Sequence, residues 1–392
     1  MRRFSWRGSR QSSGSAVILA GVLLAAAVEA VAAADVYRSE LHAFRVEVVV
    51  RGLEHPWGMA FLPDGRLLVT ERPGRLRIVV DGALDPRPLE GLPPVAAHGQ
   101  GGLLDVALHP DFGRNRLVYL SYAGAERGTL GRQLLGTEVA RGRLEGHRLA
   151  DVEVIFRAEP KTPGGRHFGS RLVFDRQGYL FVTLGDRGEM DRAQRLDDHA
   201  GSIVRLHDDG RVPEDNPFVS RPDARPEIYT YGNRNVQGAV LHPDTGVLWT
   251  HEHGPQGGDE INVVRAGTNY GWPVITYGVN YVTGTRIGIG TEKEGMAQPL
   301  LHWTPSIAPS GMAFYDGERF PRWRGHLFVG ALRGEHVVRV EVEGEERVVR
   351  QERLLEGVLG RVRDVRSGPD GYLYLLTDHP AGVLARLVPA EG

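Results

Sequence analysis

The sequence predicts an all-β fold, a six-bladed β-propeller with four-stranded antiparallel blades, and three observations carry that reading. Glycine (52) and proline (24) make up about a fifth of the 392 residues, which suits many turns and short strands rather than long helices. A short apolar strand, a Pro/Asp/Gly turn and a second strand rich in Leu, Val and Tyr recur six times. The recurrences are spaced roughly 45–70 residues apart, the room that a four-stranded blade with its loops needs.

The six hairpins run in order along the chain. They are GMAFLPDGRLLVTER (58–72), DVALHPDFGRNRLVYLSY (105–122), RLVFDRQGYLFVTLGD (171–186), AVLHPDTGVLWTHEHG (239–254), GMAFYDGERFPRWRGHLFVGALR (311–333) and VRSGPDGYLYLLTD (365–378). Asp-Gly and its relatives between alternating apolar runs are a strong short-range hairpin signal. No Ser/Gly-rich linker splits the chain, so residues 35–392 are expected to form one propeller domain; an irregular sandwich or two smaller β domains would be the competing arrangement.

Composition removes several functions. The formal net charge is −2, which argues against nucleic acid or an anionic membrane surface as the main partner. There is no cysteine, so disulfides, thiolate nucleophiles and thiolate metal sites are excluded and any metal must sit on oxygen or imidazole. Residues 1–34 place arginines before an apolar run from Ala16 to about Val28 and then small residues ending at Ala34. That order is expected of a secretory signal peptide, giving a periplasmic or secreted mature chain without stable membrane insertion; a retained anchor is the alternative. Arg2-Arg3 hints at twin-arginine export within an incomplete motif.

Polar residues just outside the hairpins are the candidate site, because propeller loops converge at one end of the channel. HGQGG (98–102) offers the Gln100 amide between glycines, and on its own reads more readily as a turn than as a binding loop. His167 stands at a strand entrance and Asp186 closes the same hairpin. A neutral imidazole with a carboxylate on its far nitrogen suits a general base, although taken alone a structural histidine in a hydrogen-bonded turn is the better reading. YGNRNVQG (231–238) crowds Arg234, Asn235 and Gln237, a set able to bind a planar ligand bearing carbonyls and carboxylates. Arg361 and Arg363, two apart at a strand start, share one face and with Arg333 could surround an anion. In THEHGPQGGDEINVVRAGTNYGWP (250–273), Asp259 and Glu260 supply hard carboxylates on Gly/Pro backbone that turns carbonyls outward, the ligand type calcium takes. Zinc on His251 and His253 lacks a third ligand at usual spacing, and these histidines are left without a role.

Together these motifs resemble the soluble quinoprotein glucose and aldose sugar dehydrogenases, periplasmic six-bladed propellers dependent on PQQ. The matching blocks, in order, are GQGGLLDVALHPDF, HFGSRLVF…LGD, GNRNVQG, HGPQGGDEIN, NYGWP, PSIAPSG and GRVRDV. The resemblance implies His167 as catalytic base, Asp186 as its orienting partner and Arg234 as the cation stabilising the reducing quinone. It implies Gln100, Asn235, Gln237, Arg361 and Arg363 as PQQ ligands, and Arg333 where glucose-oxidising members carry a lysine. Backbone oxygens of Gly254 and Pro255 are implied to hold a Ca2+ that also binds PQQ. Asp259 and Glu260 are implied at a second, structural Ca2+, with the Tyr270 carbonyl and Thr268.

The implied reaction is oxidation of the anomeric carbon of an aldose sugar to the lactone by hydride transfer, with electrons leaving to an external acceptor (a quinone or small redox protein). Trp303 is the substrate-pocket candidate; the tyrosine expected near it is missing, which points to a broad-range aldose enzyme. A monomer or homodimer is expected. A calcium-dependent propeller lactonase would need an axial ring of Glu, Asn and Asp ligands that the sequence does not assemble. A non-catalytic secreted binding propeller would be expected to lack the His167, Arg234 and Arg363 set.

Overall fold

Each of the six sequence hairpins is the inner pair of strands of one blade. The computed structural model describes residues 35–390, so the signal-peptide reading of 1–34 lies outside the described residues. Blade 1 comprises Pro56–Phe61, Leu67–Glu71, Arg75–Val80 and Ala83–Leu84, and blade 2 Leu103–Leu108, Leu117–Arg127, Gln133–Glu145 and Arg148–Arg157. Blade 3 is Leu172–Phe174, Leu180–Thr183, Ile203–Leu206 and Ile228–Thr230; blade 4 is Val236–Leu241, Leu248–Glu252, Asp259–Val263 and Leu301–Trp303. Blade 5 is Pro309–Phe314, Leu327–Ala331, Val337–Glu343 and Arg347–Leu354. All pairings within blades are antiparallel, as the hairpin pattern requires. Gly65 and Gly371 hold the Asp-Gly turns at φ of 87° and 81°, conformations that only glycine adopts at no cost.

Blade 6 closes the ring from both ends of the chain. Val362–Ser367, Leu373–Thr377 and Gly382–Pro389 are joined by Ala43–Leu53 from the N-terminal side, with Val36–Arg38 as a fifth edge strand. Phe44 opposes Pro389 and Val46 opposes Leu387 across that seam. First strands of neighbouring blades pack on one another around the ring, blade 6 meeting blade 1. Apolar layers fill the spaces between blades, with Trp249 and Trp323 fully buried. Among the described residues no helix is long and apolar enough to cross a membrane.

The channel between the inner strands is plugged by charge. Arg171 Nη1 lies 2.9 Å from Asp105 and 3.2 Å from Asp364, while Arg366 reaches the same carboxylates at 3.2 and 3.0 Å. Buried Arg171, Asp105 and Asp364 are tolerated because each is paired, half-buried Arg366 supplying the second cation. A Cβ on Gly58 would lie 2.6 Å from Asp105 Oδ1, and one on Gly311 2.1 Å from Asp364 Oδ1, so the inner strands need glycine where the carboxylates cross. Arg171 also stacks on Trp57, 4.4 Å from its ring centroid, and Trp57 floors the cavity above.

Candidate active site

Residues at the start of the inner strand of every blade meet at one end of the channel. A cavity of about 340 Å³ opens there, lined by Trp57, Leu104, Phe168, Asn235, Ala308 and Arg363, one from each blade. A wider cleft of about 790 Å³ adjoins it and is lined by His167, Asp186, Arg234, Pro255, Trp272 and Tyr281. Gln100 borders both, as its place between glycines allows.

His167 and Asp186 come together as expected from their hairpin. His167 Nδ1 is 2.6 Å from Asp186 Oδ1, which also accepts the Gly188 N–H at 2.7 Å. Oδ2 accepts the Trp272 indole N–H at 2.8 Å. Burial alone would raise the Asp186 carboxyl, but the hydrogen bond and charge of His167, with the Gly188 N–H and Arg234, outweigh it and leave it lowered. Asp186 is therefore an acceptor, Nδ1 carries the proton, and Nε2 is left as a base toward the cleft. Burial lowers the His167 pKa, opposed by Asp186 and assisted by Arg234, so the ring is neutral at pH 7. His167 has φ of 51°, in the sparsely populated left-handed region. Its N–H donates to Gln100 Oε1 at 2.8 Å, and Arg187 Nη2 donates to the Gly164 carbonyl at 2.7 Å, pinning the loop that carries it.

The cationic and amide residues face the smaller cavity. Arg361 Nη2 and Arg363 Nη2 both reach Asp378 Oδ2, at 3.1 and 3.0 Å, so the two arginines do share a side. Arg363 Nη1 donates to Gln237 Oε1 at 3.3 Å, and its buried Nε has no partner. Gln237 Nε2 donates to the Gly169 carbonyl at 3.2 Å, and Asn235 Oδ1 accepts the Gly169 N–H at 3.1 Å. Asp378 is half-buried, which would raise it, but Arg363, His55 and Arg361 hold it well below the usual carboxylate range. Sequence reasoning missed Asp378, although it ends the last hairpin just as Asp186 ends the third. It also missed His253, which lines this cavity and bonds the Pro309 carbonyl through Nε2 at 2.6 Å. Neither ring nitrogen of buried His251 has a partner.

The Gly/Pro segment is arranged differently from the expectation. Asp259 Oδ1 accepts from the Gly254 N–H and the Ser306 hydroxyl, both at 2.9 Å. Oδ2 accepts from the N–H groups of Ile307 and Ala308 at 2.7 and 3.0 Å. Its lone pairs are spent organising two loops, so here Asp259 is a loop clamp rather than a free metal ligand. Thr268 gives its carbonyl to the Tyr231 N–H at 3.2 Å and borders no cavity of this site. The Gly254 carbonyl accepts Arg234 Nη1 at 2.7 Å. Glu260 does face a small space of about 10 Å³, with Gly254, Tyr270 and Glu252 around it. Glu252 and Glu260 are direct cross-strand partners. Burial raises Glu252 to about 7 despite Asn233 and backbone N–H donors. Burial and then the Glu252 charge raise Glu260 well above its usual value. Sequence reasoning missed Glu252; the signal was an acid on each side of the 253–258 turn. Among the described residues no group of three or more His, Asp or Glu is disposed to hold a metal.

Two further expectations are corrected. Arg333 is exposed, and Leu332 lines the cavity in its place. Trp303 lies on the outermost strand of blade 4, its indole donating to Gln351 Oε1 at 2.8 Å, and it lines neither cavity. A residue's direction at a strand end follows the local register, which composition does not reveal. The aromatic walls of the cleft are instead Trp272 and Tyr281.

Comparison with known proteins finds relatives over most of the chain. Residues 53–386 match the family model described as glucose/sorbosone dehydrogenase. The aldose sugar dehydrogenase YliI of Escherichia coli is 48% identical over 349 residues, 88% of this chain and 92% of the relative. The structure of the soluble aldose sugar dehydrogenase from Escherichia coli in the apo-form superposes with a TM-score of 0.84 at 47% identity, covering 88% of this chain and 100% of the other. The PQQ-bound form of the aldose sugar dehydrogenase from Streptomyces coelicolor gives a TM-score of 0.72 at 28% identity, over 88% and 98% of the two chains.

Proposed function

Since this chain belongs to the glucose/sorbosone dehydrogenase family, we propose that it oxidises the anomeric carbon of aldose sugars with bound PQQ and passes the electrons to an external acceptor. The observation that carries the reading is the His167–Asp186 pair facing an open cleft beside Arg234, against a separate cationic cavity. The residues present fit a flat polycarboxylate: Arg361, Arg363, Gln100, Asn235 and Gln237 converge on the smaller cavity, and the unpartnered Arg363 Nε supports a missing acceptor. The chemistry such a cofactor supplies when bound is acceptance of a hydride, which no side chain can provide.

His167 Nε2 takes the anomeric hydroxyl proton while hydride leaves the same carbon, and the sugar becomes a lactone. Asp186 keeps Nδ1 protonated and stabilises the imidazolium that forms. Arg234 carries its positive charge on the wall of the cleft that holds His167, where negative charge developing on oxygen is best stabilised by a preorganised cation. Trp272 and Tyr281 wall the cleft that would take the sugar. The carbonyls of Gly254 and Pro255 would hold a calcium ion once Arg234 releases the former. Glu260, with Glu252 and the Tyr270 carbonyl, would hold a second in the small space beside them. The reading of residues 1–34 as a signal peptide supports a periplasmic or secreted catalytic domain over 35–392.

The test is reconstitution with PQQ and calcium followed by aldose-dependent dye reduction. His167→Ala should bind PQQ with an unchanged quinone spectrum and lose turnover by about 10²–10⁴-fold, the usual worth of a positioned base. Wild-type turnover in that variant would remove the base assignment, and no reduction with any aldose would remove the enzyme reading.

A further inference from the structure

We propose that Trp272 is a positioning residue for the proton-accepting pair, its indole N–H locking the Asp186 carboxylate so that His167 Nε2 is aimed into the cleft. The inference rests on the base assignment for His167 and adds the group that makes that base directional.

A carboxylate bonded through one oxygen can still rotate about its Cβ–Cγ bond and carry the imidazole with it. Asp186 is held through both: Oδ1 by His167 and Gly188, and Oδ2 by the indole at 2.8 Å. The indole is a donor only, with one fixed direction, and it reaches Asp186 from a loop of another blade, 86 residues away in sequence. His167 itself sits at a left-handed φ of 51°, so its ring direction depends on its partners more than on ordinary backbone preference.

Trp272 is in turn held on every side. Its backbone N–H donates to the Gly232 carbonyl at 2.8 Å, and its backbone carbonyl accepts from Gln194 Nε2 at 2.7 Å. Its ring is buried against Ala193 and Ile287, and the Arg234 guanidinium lies 5.3 Å from its centroid. One rigid side chain therefore spaces the base pair from the cation expected to stabilise the oxygen.

The charged and titratable groups facing His167 are Asp186, Arg187, Arg234 and His253. Removing the indole N–H leaves more negative charge on Asp186, which stabilises the imidazolium and moves the His167 titration to higher pH. In Trp272→Phe loaded with PQQ and calcium, kcat should fall about tenfold with KM changed less than about threefold, part of what a positioned base supplies. The acid limb of kcat/KM should move to higher pH. In the cofactor-free protein, ring resonances of His167 followed by NMR should titrate at higher pH in the variant than in wild type. A fall in kcat with both the acid limb and the NMR midpoint unmoved would reduce Trp272 to a structural role and overturn the inference. Should Trp272→Phe fail to fold, the wild-type indole N–H resonance decides: it must shift as His167 titrates, and silence overturns the coupling. Failure of the base reading is distinct, because it shows as normal turnover in His167→Ala.

Discussion

Buried Glu252 and half-buried Glu260 face one another across two paired strands, and like charges in that register repel. Burial lifts Glu252 to about 7 in the folded chain, against an ordinary glutamate value of about 4.3 when unfolded. A folded pKa above the unfolded one means that the folded state binds more protons between those values. The pair's contribution to stability is therefore present at low pH and lost as pH rises from about 4.3 through about 7. A divalent cation between the carboxylates would offset the repulsion only where they are ionised. The expected outcome is a Tm gap between calcium and EDTA samples that is wider at pH 8 than at pH 5, and that shrinks in Glu260→Gln. An equal gap at both pH values would show that calcium stabilises the protein elsewhere.

At the scale of the element, the loop after Glu252 is shaped by one carboxylate. Asp259 begins the third strand of blade 4 and ties Gly254 to Ser306, Ile307 and Ala308 through four hydrogen bonds. A Cβ on Gly254 would lie 2.2 Å from the carbonyl oxygens of Gly257 and Gly258, so the turn is too tight for any side chain there. Asp259→Ala leaves several buried donors unpaired and should cost on the order of 3 kcal/mol of stability, read as a lower denaturant midpoint. The loss should appear in EDTA as fully as in calcium. A variant as stable as wild type in EDTA would instead mark Asp259 as a cation ligand, as the Asp-Glu dipeptide alone suggested.

The whole molecule depends on its seam. Ala43–Leu53 pairs antiparallel with Gly382–Pro389, with register shifts at Val48–Val50 and Val50–Leu53, and a propeller without this strand leaves blade 6 open to solvent with unpaired backbone groups. A chain beginning at residue 54 should therefore lose its cooperative thermal transition in circular dichroism. A transition at the wild-type temperature would show that the remaining strands close the ring unaided. The site shares this dependence, because all six blades contribute to the cavity that would hold the cofactor.

The sequence by itself determined the six blades and placed several of the polar residues that line the two cavities. Asp-Gly turns between alternating strands are local signals, so each inner hairpin was legible in its own few residues. His167 and Asp186 bracket one such hairpin, which is why their contact was readable before any tertiary structure. Arg234, Asn235, Gln237 and Arg363 were likewise legible because strand starts in a propeller converge on the channel. The tertiary structure alone decided what faces what across blades. It brought Trp272 to Asp186, set Glu252 opposite Glu260, turned Trp303 outward and put Leu332 rather than Arg333 at the cavity. Those placements depend on strand register, on loop path and on ring closure, all of which couple residues far apart in the chain.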